Sequence, residues 1–239
     1  QSLRFNDDDS AYLSRTPSTA GNRKTWTWSG WVKRGNLGAY ENLFSAVGDG
    51  GGESAAIRFD SSDRLDVIFI TDGADTITGR LITSRVFRDA SSWYNVVFVQ
   101  DTTSGTAGNR LRLYINGVEE TSFVTDTNPP LNANGQFNAT VMHRICAESH
   151  NGNQEFDGYL AEVNFIDGQA LTPSSFGTTG NYGEWKPKEY KGAYGTNGFY
   201  LPFKQDYAVE GFSTVTYKGT RQNKYIGGVG FQPDFVWMK

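Results

Sequence analysis

Apolar and polar residues alternate along this chain in short bursts, and turn residues interrupt the alternation at close intervals. The bursts include "TWTWSGWVK" (25–33), "AAIRFD" (55–60), "RLDVIFI" (64–70), "WYNVVFVQD" (93–101) and "FDGYLAEVNFIDG" (156–168). A period of two is what an extended strand with one buried face imposes. Turn signals recur about every eight to fifteen residues, at Gly50-Gly51-Gly52, Ser61-Ser62-Asp63, Asp72-Gly73, Gly105 to Asn109 and Asn116-Gly117. Many short strands at such spacing predict an all-β, antiparallel two-sheet jelly-roll sandwich. The one helical signal is "TPSSFG" (172–177), with Thr172 as cap and Pro173 in the first turn.

Within "TWTWSGWVK", strand parity puts Trp26, Trp28, Gly30 and Val32 on one face and Thr27, Ser29, Trp31 and Lys33 on the other. Trp26 and Trp28 are therefore predicted core. Trp31 stands on the polar face, where it either meets a ligand or lies under a covering loop; a bulge at Ser29-Gly30 would instead swing it inward. "WYNVVFVQD" is apolar on both faces and reads as a central strand covered on both sides. In "LRLYINGVEE" the Asn116-Gly117 pair marks a tight hairpin.

After residue 177 the pattern changes. "GTTGNYGEWKPKEYKGAYGTNG" has no periodicity and reads, over 178–198, as a connector wrapping the sandwich. "FYLPF" (199–203) follows as one more strand. The domain is thus expected over 1–204, and 205–239 reads as a C-terminal β arm or the start of a second module, ending in the strand-like "DFVWMK".

Composition narrows the function classes. A formal charge of −4 with no basic stripe argues against nucleic acid as a partner. The sequence has no run of 18 apolar residues and no charged-then-apolar leader, so no membrane insertion is expected. The single cysteine, Cys146, excludes an internal disulfide.

Four stretches, in order, carry a resemblance: "SLRFNDDDSAYLSRTPSTAGNRKTWTWSGWVKRG", "WYNVVFVQD", "LRLYINGVEE" and "FDGYLAEVNFIDGQALT". Their order resembles laminin-G-like, concanavalin-A-type lectin jelly rolls over roughly residues 2–204. "FIDGQALTPSSFG" and "YGTNGFYLPF" look like the lectin-like proteins of tailed-bacteriophage virions. The resemblance implies a non-enzymatic virion structural protein, on a tail fibre or as a capsid decoration, assembled in the host cytoplasm. Its implied partners are other virion proteins, further copies of the chain and host cell-surface glycans. A dedicated carbohydrate-binding adhesin is the alternative, with Trp31 and Tyr40 as the residues that would stack on sugar. Related domains often bind calcium beside the ligand site. Asp7 and Asp8 in "NDDDS", with Asp101 at the end of the Trp93 strand, are the candidate ligands here, against the reading of a solvated acidic turn.

An active site is poorly served. The same fold carries β-glucanases with a Glu-x-Asp-x-Glu motif, or the same with one inserted residue, whereas "EFDGYLAE" offers Glu155 and Asp157 but puts Tyr159, or Leu160 if a bulge intervenes, in the third position. In an unbroken strand Glu162 falls on the opposite face. A polysaccharide depolymerase is therefore disfavoured. His143, Cys146 and His150 supply three metal-type ligands without a fourth, and read as a core cysteine with two surface or interface histidines.

Overall fold

A computed structural model describes residues 1–47, 54–73 and 76–204 of the chain. The Gly50-Gly51-Gly52 turn and everything from 205 onward, including "DFVWMK", lie outside the described residues. Two seven-stranded antiparallel sheets face each other. In spatial order the first contains β1 (Leu3–Phe5), β13 (Gly158–Asp167), β3 (Thr25–Arg34), β8 (Tyr94–Asp101), β9 (Leu111–Ile115) and β10 (Val118–Glu119). Its seventh strand, β16 (Phe199–Leu201), pairs with the second half of β13. The second sheet runs β11 (Phe123–Thr127), β7 (Ile77–Thr83), β6 (Leu65–Ile70), β5 (Ala55–Phe59), β4 (Glu41–Ala46), β12 (His143–Ile145) and β2 (Leu13–Arg15). The predicted sandwich is thus the observed fold.

The core lies between the sheets. Trp26 and Trp28 are fully buried there with Val32, Phe44, Phe98, Phe137 and Phe165. The Trp26 ring stands 4.9 Å from Phe137 and 5.3 Å from Phe98. A ring of this size removes some 150–250 Å² from water, about 4–6 kcal/mol at 25 cal/mol per Å². β8 is covered on both faces, as its sequence predicts. Val96 and Phe98 face the core, while Val97 and Val99 pack outward against Tyr114, Ile166 and Phe176. That outer cover includes Leu171, Tyr190 and Tyr194, so part of the predicted connector lies over the first sheet. The connector also contains structure that its composition hides, a hairpin of β14 (Gly177–Thr179) and β15 (Trp185–Pro187). Pro173–Ser175 forms a single 3-10 turn after Thr172. Asn116 and Gly117 both take positive φ, 50° and 82°, between β9 and β10, as a two-residue hairpin of this kind requires.

Two buried polar clusters tie the sheets together. At one end the Arg34 guanidinium, on β3, is fully buried. It donates to Glu41 Oε2 at 2.7 and 3.1 Å, to Asp63 Oδ1 at 3.1 Å and to the Phe87 carbonyl at 2.9 Å. It also lies 4.2 Å from the Phe59 ring centroid. A buried charge of this kind is tolerated because it is paired and hydrogen-bonded. At the other end the Asp167 carboxylate gathers the Asn22 N–H at 2.8 Å, Asn138 Nδ2 at 2.6 Å and the Asn197 N–H at 3.1 Å.

His143 belongs to the second cluster and is buried, which corrects its expected place at a surface or interface; His150 is exposed and Cys146 is buried in the core. The Asn138 backbone N–H donates to His143 Nε2 at 2.9 Å, so Nε2 must lack a proton, and Nδ1 donates to the Val141 carbonyl at 2.8 Å. Burial lowers the pKa of His143 from 6.5 to about 4, with Arg15 acting in the same sense and the Val141 bond against it. Its contribution to stability is therefore complete above pH 6.5 and is lost as the pH falls toward about 4, because the unfolded chain protonates first. Glu41 has the opposite sign: burial lifts it to about 6 in spite of Arg34, so it takes up a proton earlier in the fold than in the unfolded chain. Comparing wild type with His143→Gln isolates the histidine. In urea unfolding, the stability difference between them should shift by about 2 kcal/mol against the wild type between roughly pH 7.5 and roughly pH 5. A difference that stays constant with pH would refute the buried neutral imidazole.

Candidate functional site

The outer face of the first sheet carries a cleft of about 410 Å³ lined by Trp31, Trp93, Trp185, Ala161, Glu162, Pro187, Gln1 and Ser2. The site begins with register. Trp31 on β3 pairs with Asn95 of β8 on one side and with Ala161 of β13 on the other. All three project outward, because Val32, Val96 and Leu160 beside them point into the core. Trp31 is half-buried, and its indole N–H has no hydrogen-bond partner.

Glu162 reaches the same face through a bulge. The β13–β3 register runs Ala161↔Trp31 and then Asn164↔Ser29, so two residues of β13, Glu162 and Val163, stand opposite Gly30 alone. In an unbroken strand Glu162 would point into the apolar core; the extra residue turns it out and returns Val163 to the core. Glu162 has φ of 50°, a left-handed conformation unfavourable for a residue with a Cβ. Its Oε2 accepts a hydrogen bond from the Tyr200 hydroxyl, and its carbonyl accepts one from Asn164 Nδ2 at 2.9 Å. Burial, and then that bond to Glu162, push the pKa of Tyr200 well up.

The third indole comes from the hairpin. Trp185 lies against Gly117 and Gly177, where an added Cβ would fall 2.8 and 2.3 Å from its ring. Its Nε1 donates to Asn95 Oδ1 at 2.9 Å. Asn95 is fully buried; its Nδ2 donates to the Gly30 carbonyl at 3.3 Å, and its N–H to Asn116 Oδ1 at 2.8 Å. One asparagine thus fixes the hairpin tryptophan to the strand that pairs with Trp31.

The sequence-predicted site residues do not all converge. Trp31 is in the cleft, but Tyr40 is not among its lining residues. Tyr40 is exposed and lies against Arg58, which pairs with Asp66 in the second sheet. The candidate calcium ligands are also parted. Asp7 and Asp8 form a 3-10 turn after β1, which pairs with β13 at Gly158, opposite Arg34 at the end of β3. Asp101 pairs with Thr25 at the start of β3. Nine residue steps along a strand separate the two ends by about 30 Å. The Asp7 carboxylate accepts from the Asp8 N–H at 3.0 Å and Asn36 Nδ2 at 3.0 Å; Asp101 accepts from the Thr103 N–H at 3.2 Å and Thr25 Oγ1 at 3.3 Å. Among the described residues no cluster of three histidine, cysteine or acidic groups could hold a metal ion, and this applies equally to His143, Cys146 and His150.

Glu162, Trp93 and Trp185 are site residues that sequence reasoning missed. Trp93 had a signal, since it shares the parity of Asn95, the partner of Trp31. Trp185 had only its isolation in an aperiodic stretch. Parity alone sends Glu162 inward.

The chain matches the sequence model of the laminin-G type, described as the concanavalin A-like lectin/glucanases superfamily, over residues 6–175. It belongs to that family. No curated protein sequence matches the chain. Among solved structures, a heptameric SAP-like pentraxin from Limulus polyphemus is similar at 17% identity, over 67% of this chain and 71% of that one, with a TM-score of 0.44. The CBM40 module of Ruminococcus gnavus IT-sialidase is similar at 9% identity, over 69% and 95%, with a TM-score of 0.45. Tailspike protein 2 of Escherichia coli bacteriophage CAB120 is similar at 13% identity, over 73% of this chain and 23% of that one, with a TM-score of 0.46. These are distant likenesses.

A left-handed glutamate costs about 1–2 kcal/mol relative to glycine at the same place. Glu162→Gly should therefore raise stability toward chemical denaturation by about 0.5–1 kcal/mol while removing the only charged side chain that lines the cleft among the described residues. A less stable variant would show that the bulge is unstrained.

Proposed function

We propose that this chain is a non-enzymatic, lectin-like module of a bacteriophage virion protein, and that it binds glycans in the cleft between Trp31, Trp93 and Trp185. The observation that carries the reading is three half-buried indoles converging on one open cleft beside a single carboxylate. Sugar rings present C–H faces that pack on aromatic surface and hydroxyls that need a few placed polar partners. Membership in a lectin and glucanase superfamily is consistent with that use.

Binding is favoured over hydrolysis by the acids. Asp157 is held in an ion pair by Arg4, and Glu162 lies five residues further along, roughly 15 Å at strand rise. Glycosidase carboxyl pairs stand about 5–5.5 Å or 6.5–9.5 Å apart. The virion assignment rests on "FIDGQALTPSSFG" and "YGTNGFYLPF", whose Asp167 and Asn197 meet in the buried polar cluster. In this reading other virion proteins and further copies of the chain are partners, and 205–239 is the assembly arm or the start of a second module.

A glycan array probed with the whole chain tests the site. Trp93→Ala should weaken any hit at least about tenfold, with little change in the unfolding midpoint because Trp93 lies outside the regular strand. An array silent both with and without calcium would overturn the reading.

A further inference from the structure

We propose that the cleft selects amino sugars carrying a free, protonated amine, with Glu162 taking the ammonium and the tryptophan faces taking the ring; this deepens the glycan-binding reading and rests on it. Among the described residues Glu162 is the one charged side chain lining the cleft. No arginine or lysine among the described residues forms an ion pair with it. Its neighbour on this face is the neutral Tyr200 hydroxyl, which donates to Oε2 and brings no opposing charge.

Three features favour a cation there. An indole face attracts a cation through its quadrupole, with a gain that grows as water is excluded, and three indoles line this cleft. Next, an ammonium donates a charge-assisted hydrogen bond to a carboxylate, roughly twice as strong as one between neutral groups. Finally, Glu162 stands at φ of 50°, in a bulge that turns it from the core side to the cleft side. A strained carboxylate delivered among aromatic rings is suited to a ligand that needs both a flat apolar wall and a negative charge. The same charge repels uronic and sialic acids. Acetylation of the amine removes the cation and leaves only the stacking.

The test is titration of the whole chain, followed by tryptophan fluorescence at low salt and mildly acid pH, with three probes: a β-1,4-linked glucosamine hexamer, its N-acetylated counterpart and a galacturonic acid hexamer. The inference expects the glucosamine hexamer to bind at least about tenfold more tightly than the acetylated one, and the galacturonate not at all. Glu162→Gln, checked for an unchanged unfolding midpoint, should abolish that preference, and added salt should erode it in the wild type. Equal binding of the first two probes, or a preference that survives in Glu162→Gln, would overturn the inference and leave the glycan-binding reading standing. If none of the three binds and a glycan array is also silent, the reading beneath it falls as well.

Discussion

One extra residue in β13 governs much of this molecule. Before the bulge Leu160 faces the core; after it Val163 and Phe165 do. The half of β13 before the bulge pairs with β1, and the half after it pairs with β16. Remove the insertion and every residue beyond it changes faces, because strand parity admits no intermediate. Phe165 would then turn away from Trp26 and Phe44, and Ile166 would leave the outer cluster it shares with Val97 and Val99. The same residue that corrects the packing of the core carries the carboxylate of the cleft. Strain at Glu162 is thus offset by the apolar surface that the corrected register buries.

With one cysteine and no disulfide, the sandwich relies on packing and on polar clusters that span its two sheets. Arg34 joins β3 to β4 across the core and is hydrogen-bonded on all three guanidinium nitrogens. The Asp167 cluster does comparable work at the other end, using neutral amides in place of a cation. Both are demanding in geometry, since a buried polar group left without its partner costs several times what a satisfied one contributes. They fix which strand ends meet, and so fix the frame from which the cleft residues project.

What was legible in the sequence follows from period and local chemistry. Parity placed Trp26 and Trp28 in the core and Trp31 outside it, and the doubled apolar faces of "VVFV" announced a central strand. Asn116-Gly117 announced its turn because few residues tolerate positive φ twice in succession. The acidic turn left calcium ligation and a solvated turn both open, because three carboxylates adjacent in sequence say nothing about the remote Asp101. Asn6 and Asn36 answer for part of that acidity, with Asn6 Nδ2 donating to Asp9 at 2.8 Å. The bulge left no local signature, since glutamate in a left-handed conformation is imposed by neighbouring strands and is not chosen by its own preference. Trp185 was hidden for a similar reason. A two-stranded hairpin whose strands are three residues long has too little periodicity to show, and its position depends on one distant glycine, Gly117, and one buried asparagine, Asn95.

The family match ends at residue 175, and Trp185 and Pro187 come after it. The sandwich therefore supplies a floor of Trp31 and Ala161, while one wall of the cleft arrives on a hairpin beyond the matched residues, whose Trp185 meets the first sheet at Asn95 and Gly117. Exchanging the outward-facing residues of the hairpin would redraw that wall of the cleft and leave the aromatic core between the two sheets untouched.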